Sequence, residues 1–311
     1  MVYPSGNAEL EGNPRLMRTL QFSGGPRIGV QGDNASLFYA RHWLDQIGLK
    51  TAPVEELEQP NILLIAGAND GSDEPYFEGC NCVFLWDFQT GMSGGGLHAA
   101  AASGVSWVLG RPNGLPLAMP VDVPEKWCGL IGANFAVSVL LEFSLKQQVS
   151  PRRVDISAAD TLRSFADQNS GNETDMDHYW QRNGRTAVGH GGIYPQGYYA
   201  CRDGYVGVIG RSRKDWLAIR EVIGQPPWAA EERFGDPFVL ADDSTEVDDL
   251  LSTALQGFDR DDLLARAVKH GAPLAPVYAE DELVARDVVR KGFFNADGSA
   301  NLPFEIVRRA D

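Results

Sequence analysis

The chain reads as an α/β protein, with a larger sheet-centred domain followed by a smaller α+β one, and three observations carry that reading. Asn61-Ile-Leu-Leu-Ile-Ala66, bounded by Pro60 and Gly67, and Cys82-Val-Phe-Leu-Trp86 are continuous apolar runs, the pattern of parallel strands buried on both faces. A short strand and an amphipathic helix precede them with short connections, which is the order of an α/β unit. Beyond Gly197 the pattern changes to a hairpin followed by helices.

In chain order, residues up to about Gly25 are polar and irregular and predict an N-terminal arm, 1–25. A large domain follows over 26–185. Arg27 to Val30 is its first strand. Asp33 and Asn34 are capping residues for a helix whose Leu37, Ala40, Trp43, Leu44 and Ile47 share a face, and Gly48 stands where a C-terminal cap belongs. Ser93-Gly94-Gly95-Gly96 invites reading as a phosphate cradle, but it lacks a Walker lysine and reads as a plain flexible turn. Leu97 to Ala102 predicts a short helix, and Trp107 to Leu109 leads to a turn at Arg111-Pro-Asn-Gly114. Leu130 to Leu145 is apolar nearly all round and predicts a central helix. Ile156, Ala159, Leu162 and Ala166 line the next, with Asp155 or Ser157 as its cap. The smaller domain spans 186–296, and 297–311 is a tail. Asp242-Asp243 and Glu246 to Asp249 read as solvated acids around a helix start.

Composition excludes several classes of function. A net charge of −15 over 311 residues disfavours nucleic acid or an anionic membrane as partner, since both require clustered Lys and Arg. The four cysteines include Cys80-x-Cys82 but no second pair at zinc spacing, and they predict reduced thiols in a cytoplasmic protein without a metal. The N-terminus has no basic-then-apolar leader pattern, and the uncharged apolar run Trp127 to Leu141 is short for a bilayer span. No Gly-x-Gly-x-x-Gly follows the first strand, which disfavours a dinucleotide cofactor.

The most informative stretch is Arg182 to Val206. Its first half holds the glycines of Gly189-His-Gly-Gly192 and reads as a loop that passes close to something; its second half is a hairpin turning at Arg202-Asp203-Gly204, with Trp216-Leu217 opening the next helix. Three further stretches accompany it in order: Arg153-Val-Asp-Ile-Ser-Ala-Ala-Asp160, Gly271-Ala-Pro-Leu-Ala-Pro-Val277 and Arg290-Lys-Gly-Phe-Phe294. Together the four resemble family III CoA-transferases, the family of formyl-CoA and carnitine CoA-transferases, with an acyl-CoA racemase as a mechanistic offshoot.

The resemblance implies a Rossmann-like large domain, here shortened, an interlocked dimer or a heteromer with a related subunit, and CoA as a substrate with no separate cofactor. It also implies a carboxylate nucleophile, which suits the exchange because its acyl derivatives are as activated as the substrates. The family's Asp stands four residues before a Gly that opens a long apolar helix. With Gly129 as that Gly, the equivalent position is Glu125, and Asp122 in Pro120-Val-Asp-Val-Pro124 is the alternative; both also read as exposed carboxylates of a proline-rich loop. The resemblance assigns Gly191 and Gly192 to a loop that shields the intermediate, with His190 assisting or simply packing. Arg27, Arg41, Lys50 and Arg111 are the cations available for CoA phosphates. His98 lies near, but not on, the racemase histidine position and reads as a core or surface residue. Two other readings are a non-catalytic partner subunit of an active relative and an α-methylacyl-CoA racemase.

Overall fold

Five strands form one all-parallel sheet in the order β2-β1-β3-β4-β5. They are β1 (Ile28–Gln31), β2 (Thr51–Pro53), β3 (Ile62–Ala66), β4 (Asn81–Trp86) and β5 (Arg153–Ser157). The structure is a computed structural model that describes residues 27–67, 79–120, 122–146, 150–167, 182, 194–236, 239–286 and 293–294. The predicted arm, most of the glycine-rich stretch and the tail lie outside the described residues. The chain divides into two compact units, Met1–Ser103 with Met119–Phe165, and Gly104–Ala118 with Ala166–Asp311.

In the first unit every residue of β3 and β4 is buried, as the continuous apolar runs predict. Leu63 and Ile65 of β3 join Cys82, Phe84 and Trp86 of β4 in one core cluster, while the alternate residues point to the other face. On that other face lie α1 (Ala35–Gln46) and α4 (Val123–Lys146), with α2 (Gly96–Ala102) beside α4. Asn34 caps α1 by accepting the Leu37 N–H at 2.8 Å, and its own amide donates to the Leu85 carbonyl at 2.8 Å, tying the helix start to β4. Gly48, just past the end of α1, has φ of 87°, the left-handed value a C-terminal glycine supplies.

Glycines let α4 sit close. A Cβ at Gly129 would lie 2.5 Å from the Ser36 carbonyl oxygen and 2.8 Å from the Ala40 nitrogen, so α1 and α4 cross there almost backbone to backbone. One turn on, a Cβ at Gly132 would meet the end of the Leu85 side chain at 2.6 Å. Helix α4 is long and apolar enough, by length and composition, to cross a membrane, yet Cys128, Ala133, Ala136, Val139 and Leu140 are buried within the unit. One side of it lies in the core, while Trp127, Ile131, Leu141 and Leu145 on the other are exposed.

Two boundaries differ from the sequence reading. Helix α4 begins at Val123 rather than Leu130, because Pro124 falls in the first turn, where no backbone N–H is required. Residues Arg153–Ser157 form edge strand β5, and α5 (Ala158–Asp167) starts after it. Ser157 is the cap, its Oγ accepting the Asp160 N–H at 3.0 Å; Asp155 sits in the strand and accepts from the Trp86 indole at 3.1 Å.

In the second unit, which includes the short helix α3 (Val105–Val108), β6 (Gln196–Cys201) and β7 (Gly204–Ile209) pair antiparallel around Arg202-Asp203, and β8 (Leu274–Val277) adds to β7. Among the described residues, α6 (Arg213–Val222), α7 (Ser244–Leu255) and α8 (Arg260–His270) share one core cluster with the strands, and α9 (Glu280–Ala285) follows β8. Trp216 is fully buried, and its indole donates to the Phe234 carbonyl at 2.6 Å. The acid cluster at the start of α7 is not wholly solvated: Asp248 accepts hydrogen bonds from the hydroxyls of Tyr194 and Tyr199. Arg260 closes the hairpin end by pairing with Asp203 and, with both terminal nitrogens, with Glu282.

Candidate active site

The site gathers at the carboxyl ends of the parallel strands of the first unit, the edge where open α/β sheets take ligands. Strand β4 runs into Asp87, whose two carboxylate oxygens accept the N–H groups of Ala35 at 3.0 Å and Ser36 at 2.8 Å. An acid at that position both satisfies the free amides of the first turn of α1 and opposes the helix dipole. The first turn of α4 arrives at the same edge and carries the two carboxylates expected from the sequence.

Glu125 is only 6% exposed. Its Oε1 accepts the backbone N–H of Gly96, the first residue of α2. Its Oε2 is sealed from water and has no hydrogen-bond partner among the described residues. A Cβ on Gly96 would stand 2.3 Å from Oε2 and 2.7 Å from Oε1, so the carboxylate occupies the space a side chain at position 96 would fill. Burial is the main influence on the Glu125 proton and raises its affinity; the amide hydrogen bonds pull the other way, and the charges of Asp87 and Asp122 add to the rise.

Asp122 is engaged differently. Its φ is 63°, its carbonyl accepts the Lys126 N–H at 2.9 Å as α4 begins, and its Oδ2 accepts the Tyr39 hydroxyl at 3.2 Å. Burial, and then the Asp122 charge, raise the Tyr39 phenol above its ordinary value. The Lys126 ammonium lies 5.2 Å from the centre of the same ring. Cys128, one position before Gly129, is fully buried, and its thiol is pushed up to about 12 by burial; it faces the Ile156 carbonyl at 3.4 Å. That protonated thiol is a packing group.

The structure therefore brings Glu125 and Asp122 together in one turn. His190, Gly191 and Gly192 lie outside the described residues. Arg27 and Lys50 precede β1 and β2, at the amino ends of the parallel strands and away from Asp87; Lys50 stands 3.9 Å from Asp45. Arg41 is exposed on α1, and Arg111 is exposed in the turn of the second unit. His98 is exposed on α2, with Nδ1 accepting the Gly95 N–H at 3.3 Å. Among the described residues no group of three His, Cys, Asp or Glu side chains is placed to hold a metal.

What sequence reasoning missed is the role of Ser93-Gly94-Gly95-Gly96. Rather than a plain turn, it delivers a backbone amide to Glu125 and leaves room for the carboxylate. The signal was present: successive glycines immediately before a helix mark a place where something approaches the backbone closely.

Comparison with known proteins agrees with this architecture. The model of the family described as CoA-transferase family III matches residues 89–301, a stretch that includes Gly96 and Glu125. No curated protein matches the chain. Among solved structures, a CaiB/BaiF family protein from Brucella suis superposes with a TM-score of 0.72 at 15% identity, over 91% of this chain and 92% of that one. A hypothetical protein from Mycobacterium tuberculosis gives 0.68 at 15% identity, over 91% and 93%. With the family model covering more than half of its length, the chain belongs to CoA-transferase family III.

Proposed function

We propose that this chain moves CoA from an acyl-CoA to a free carboxylic acid, with Glu125 as the covalent nucleophile. The supporting observation is the Glu125 carboxylate itself: buried, oriented through one oxygen by the Gly96 N–H, and left with the other oxygen unengaged. A surface acid on a proline-rich loop would have both oxygens in water. Asp122 has its Oδ2 committed to Tyr39 and its carbonyl to the start of α4, which favours a structural role for it.

In the reaction, a Glu125 oxygen attacks the thioester carbonyl of the donor, the C–S bond breaks, and CoA leaves as thiolate from a mixed anhydride. The thiolate then attacks the glutamyl carbonyl and expels the donor acid as carboxylate, leaving an enzyme thioester. The acceptor carboxylate attacks that thioester, releasing thiolate, which in turn attacks the acceptor carbonyl and restores the Glu125 carboxylate. Each step exchanges one activated acyl bond for another, so no external energy source is required. Of the four cations the sequence offers for CoA phosphates, Arg41 and Arg111 stay assigned to that role, whereas Arg27 and Lys50 stand at the amino ends of the strands, the opposite edge of the sheet from Glu125, and are not assigned to it. His190, Gly191 and Gly192 are assigned to shielding the intermediate from water, and the working assembly to a homodimer or to a pair with a related subunit.

The test is intact-mass analysis after incubation with short acyl-CoAs, with and without hydroxylamine. An adduct mapped to Glu125 supports the reading. An adduct on Asp122 replaces the nucleophile, and CoA binding without any adduct shifts the function to a non-catalytic partner subunit. Exchange of an α-hydrogen with solvent deuterium in the absence of CoA transfer would indicate a racemase instead.

A further inference from the structure

We infer that Gly96 is a positioning residue for the nucleophile and that its missing side chain is matched to the length of the side chain at 125. This rests on Glu125 being the nucleophile. Three observations at one place carry it. The Gly96 N–H holds Oε1. The Cβ that any other residue would bring lies 2.3 Å from Oε2, closer than such atoms ever pack. And Oε2, in a side chain 6% exposed, has neither a partner among the described residues nor contact with water.

The two halves of the arrangement work together. One oxygen is fixed by a backbone donor that does not move with side-chain rotamers, which sets the orientation of the whole carboxylate. Glutamate is one methylene longer than aspartate, and the extra length, about 1.5 Å, must be accommodated at the carboxylate end. Position 96 supplies that room. The neighbouring glycine does not do so in the same way, because a Cβ at Gly95 would rest at an ordinary 3.5 Å from Oε1.

A size-exchange experiment tests the pairing. Gly96→Ala, Glu125→Asp and the double variant are compared with the parent chain for the rate of adduct formation with acetyl-CoA and succinyl-CoA, and for the urea midpoint. Gly96→Ala is expected to slow acylation about 100-fold, the scale of an ångström-sized misplacement. Shortening the acid in the same chain withdraws the carboxylate from the new methyl, so the double variant is expected to acylate at least about tenfold faster than Gly96→Ala alone. The urea midpoint lost in Gly96→Ala should likewise be partly recovered in the double variant. Acylation of Gly96→Ala at the parent rate, or a double variant no faster than the product of the single effects, overturns the inference while leaving Glu125 as nucleophile. A parent chain that binds CoA but never acylates Glu125 overturns the nucleophile and this role together, and a surviving recovery of the midpoint would then reduce Gly96 to packing.

Discussion

The Glu125 carboxylate lies on the backbone of Gly96, one oxygen accepting its N–H and the other buried against the place where a Cβ would stand. A buried acid with one free oxygen is costly to keep ionised, since only part of its lost hydration is replaced. That cost falls on the acid proposed as nucleophile, and it sets what substitution and pH should do.

Glu125→Gln retains the shape and an acceptor for the Gly96 N–H but removes the nucleophilic charge. CoA transfer should fall by about 10⁴-fold or more, the scale seen when a covalent nucleophile is removed. The urea unfolding curve at neutral pH should stay in place or move to higher denaturant. A variant that retains a tenth of the parent rate would exclude Glu125 as nucleophile.

The pH dependence has a definite sign. Burial raises the Glu125 proton affinity in the folded chain, so the folded state binds this proton more tightly than the unfolded one. Its contribution to stability is fully present below the ordinary carboxylate value and is lost as pH rises through the raised one. Transfer runs the opposite way, because the attacking group must be ionised, and should decline as pH falls through that same raised value. Comparing the parent with Glu125→Gln in thermal unfolding across this window isolates the group from Asp87 and Asp122; identical profiles for the two would contradict the shift.

Asp122 can be separated from catalysis by choice of substituent. At φ 63° asparagine is tolerated and still accepts from Tyr39, whereas alanine meets the left-handed penalty and loses the bond. Asp122→Asn should change stability by less than about 0.5 kcal/mol, while Asp122→Ala should cost about 1–2 kcal/mol. Because the Asp122 charge helps raise the Glu125 proton affinity, Asp122→Asn should also move the acid limb of the transfer rate to lower pH. Loss of the adduct in Asp122→Asn would instead make this acid the nucleophile. Chemical denaturation and a pH–rate profile supply both readings.

How much of this was legible in the sequence depended on whether the signal was local. The buried strands β3 and β4, the Asn34-capped α1 and the hairpin around Arg202-Asp203 each carry their pattern within a few residues, and each stands where the sequence places it. The start of α4 was misread because Pro124 resembles a loop residue until its place in the first turn is known. Strand β5 was missed because three of its residues are polar and only pairing with β4 makes them a strand. The candidate carboxylates were found through a family pattern. The Gly96 contact was not, since it joins residues far apart in the chain and rests on an atom that glycine lacks.

The crossing of α1 and α4 gives a last comparison, between two glycines of one helix. Alanine favours a helix over glycine by about 1 kcal/mol, so both Gly129→Ala and Gly132→Ala begin with a gain. At Gly132 the new methyl meets the end of the Leu85 side chain, which can turn aside, and the net change should stay below about 1 kcal/mol. At Gly129 it meets the Ser36 carbonyl at 2.5 Å and the Ala40 nitrogen at 2.8 Å, backbone atoms that move only if α1 moves. Gly129→Ala should therefore cost roughly 2–3 kcal/mol, the upper range for overpacking. Shifting α1 also displaces Tyr39 and the Ser36 N–H, the groups that hold Asp122 and Asp87 beside Glu125. Residual transfer by the folded fraction of Gly129→Ala should thus be reduced while Gly132→Ala retains the parent rate, a contrast read by urea unfolding and CoA-exchange rate on the same preparations. Equal behaviour of the two variants would mean that the helices are not in backbone contact at Gly129.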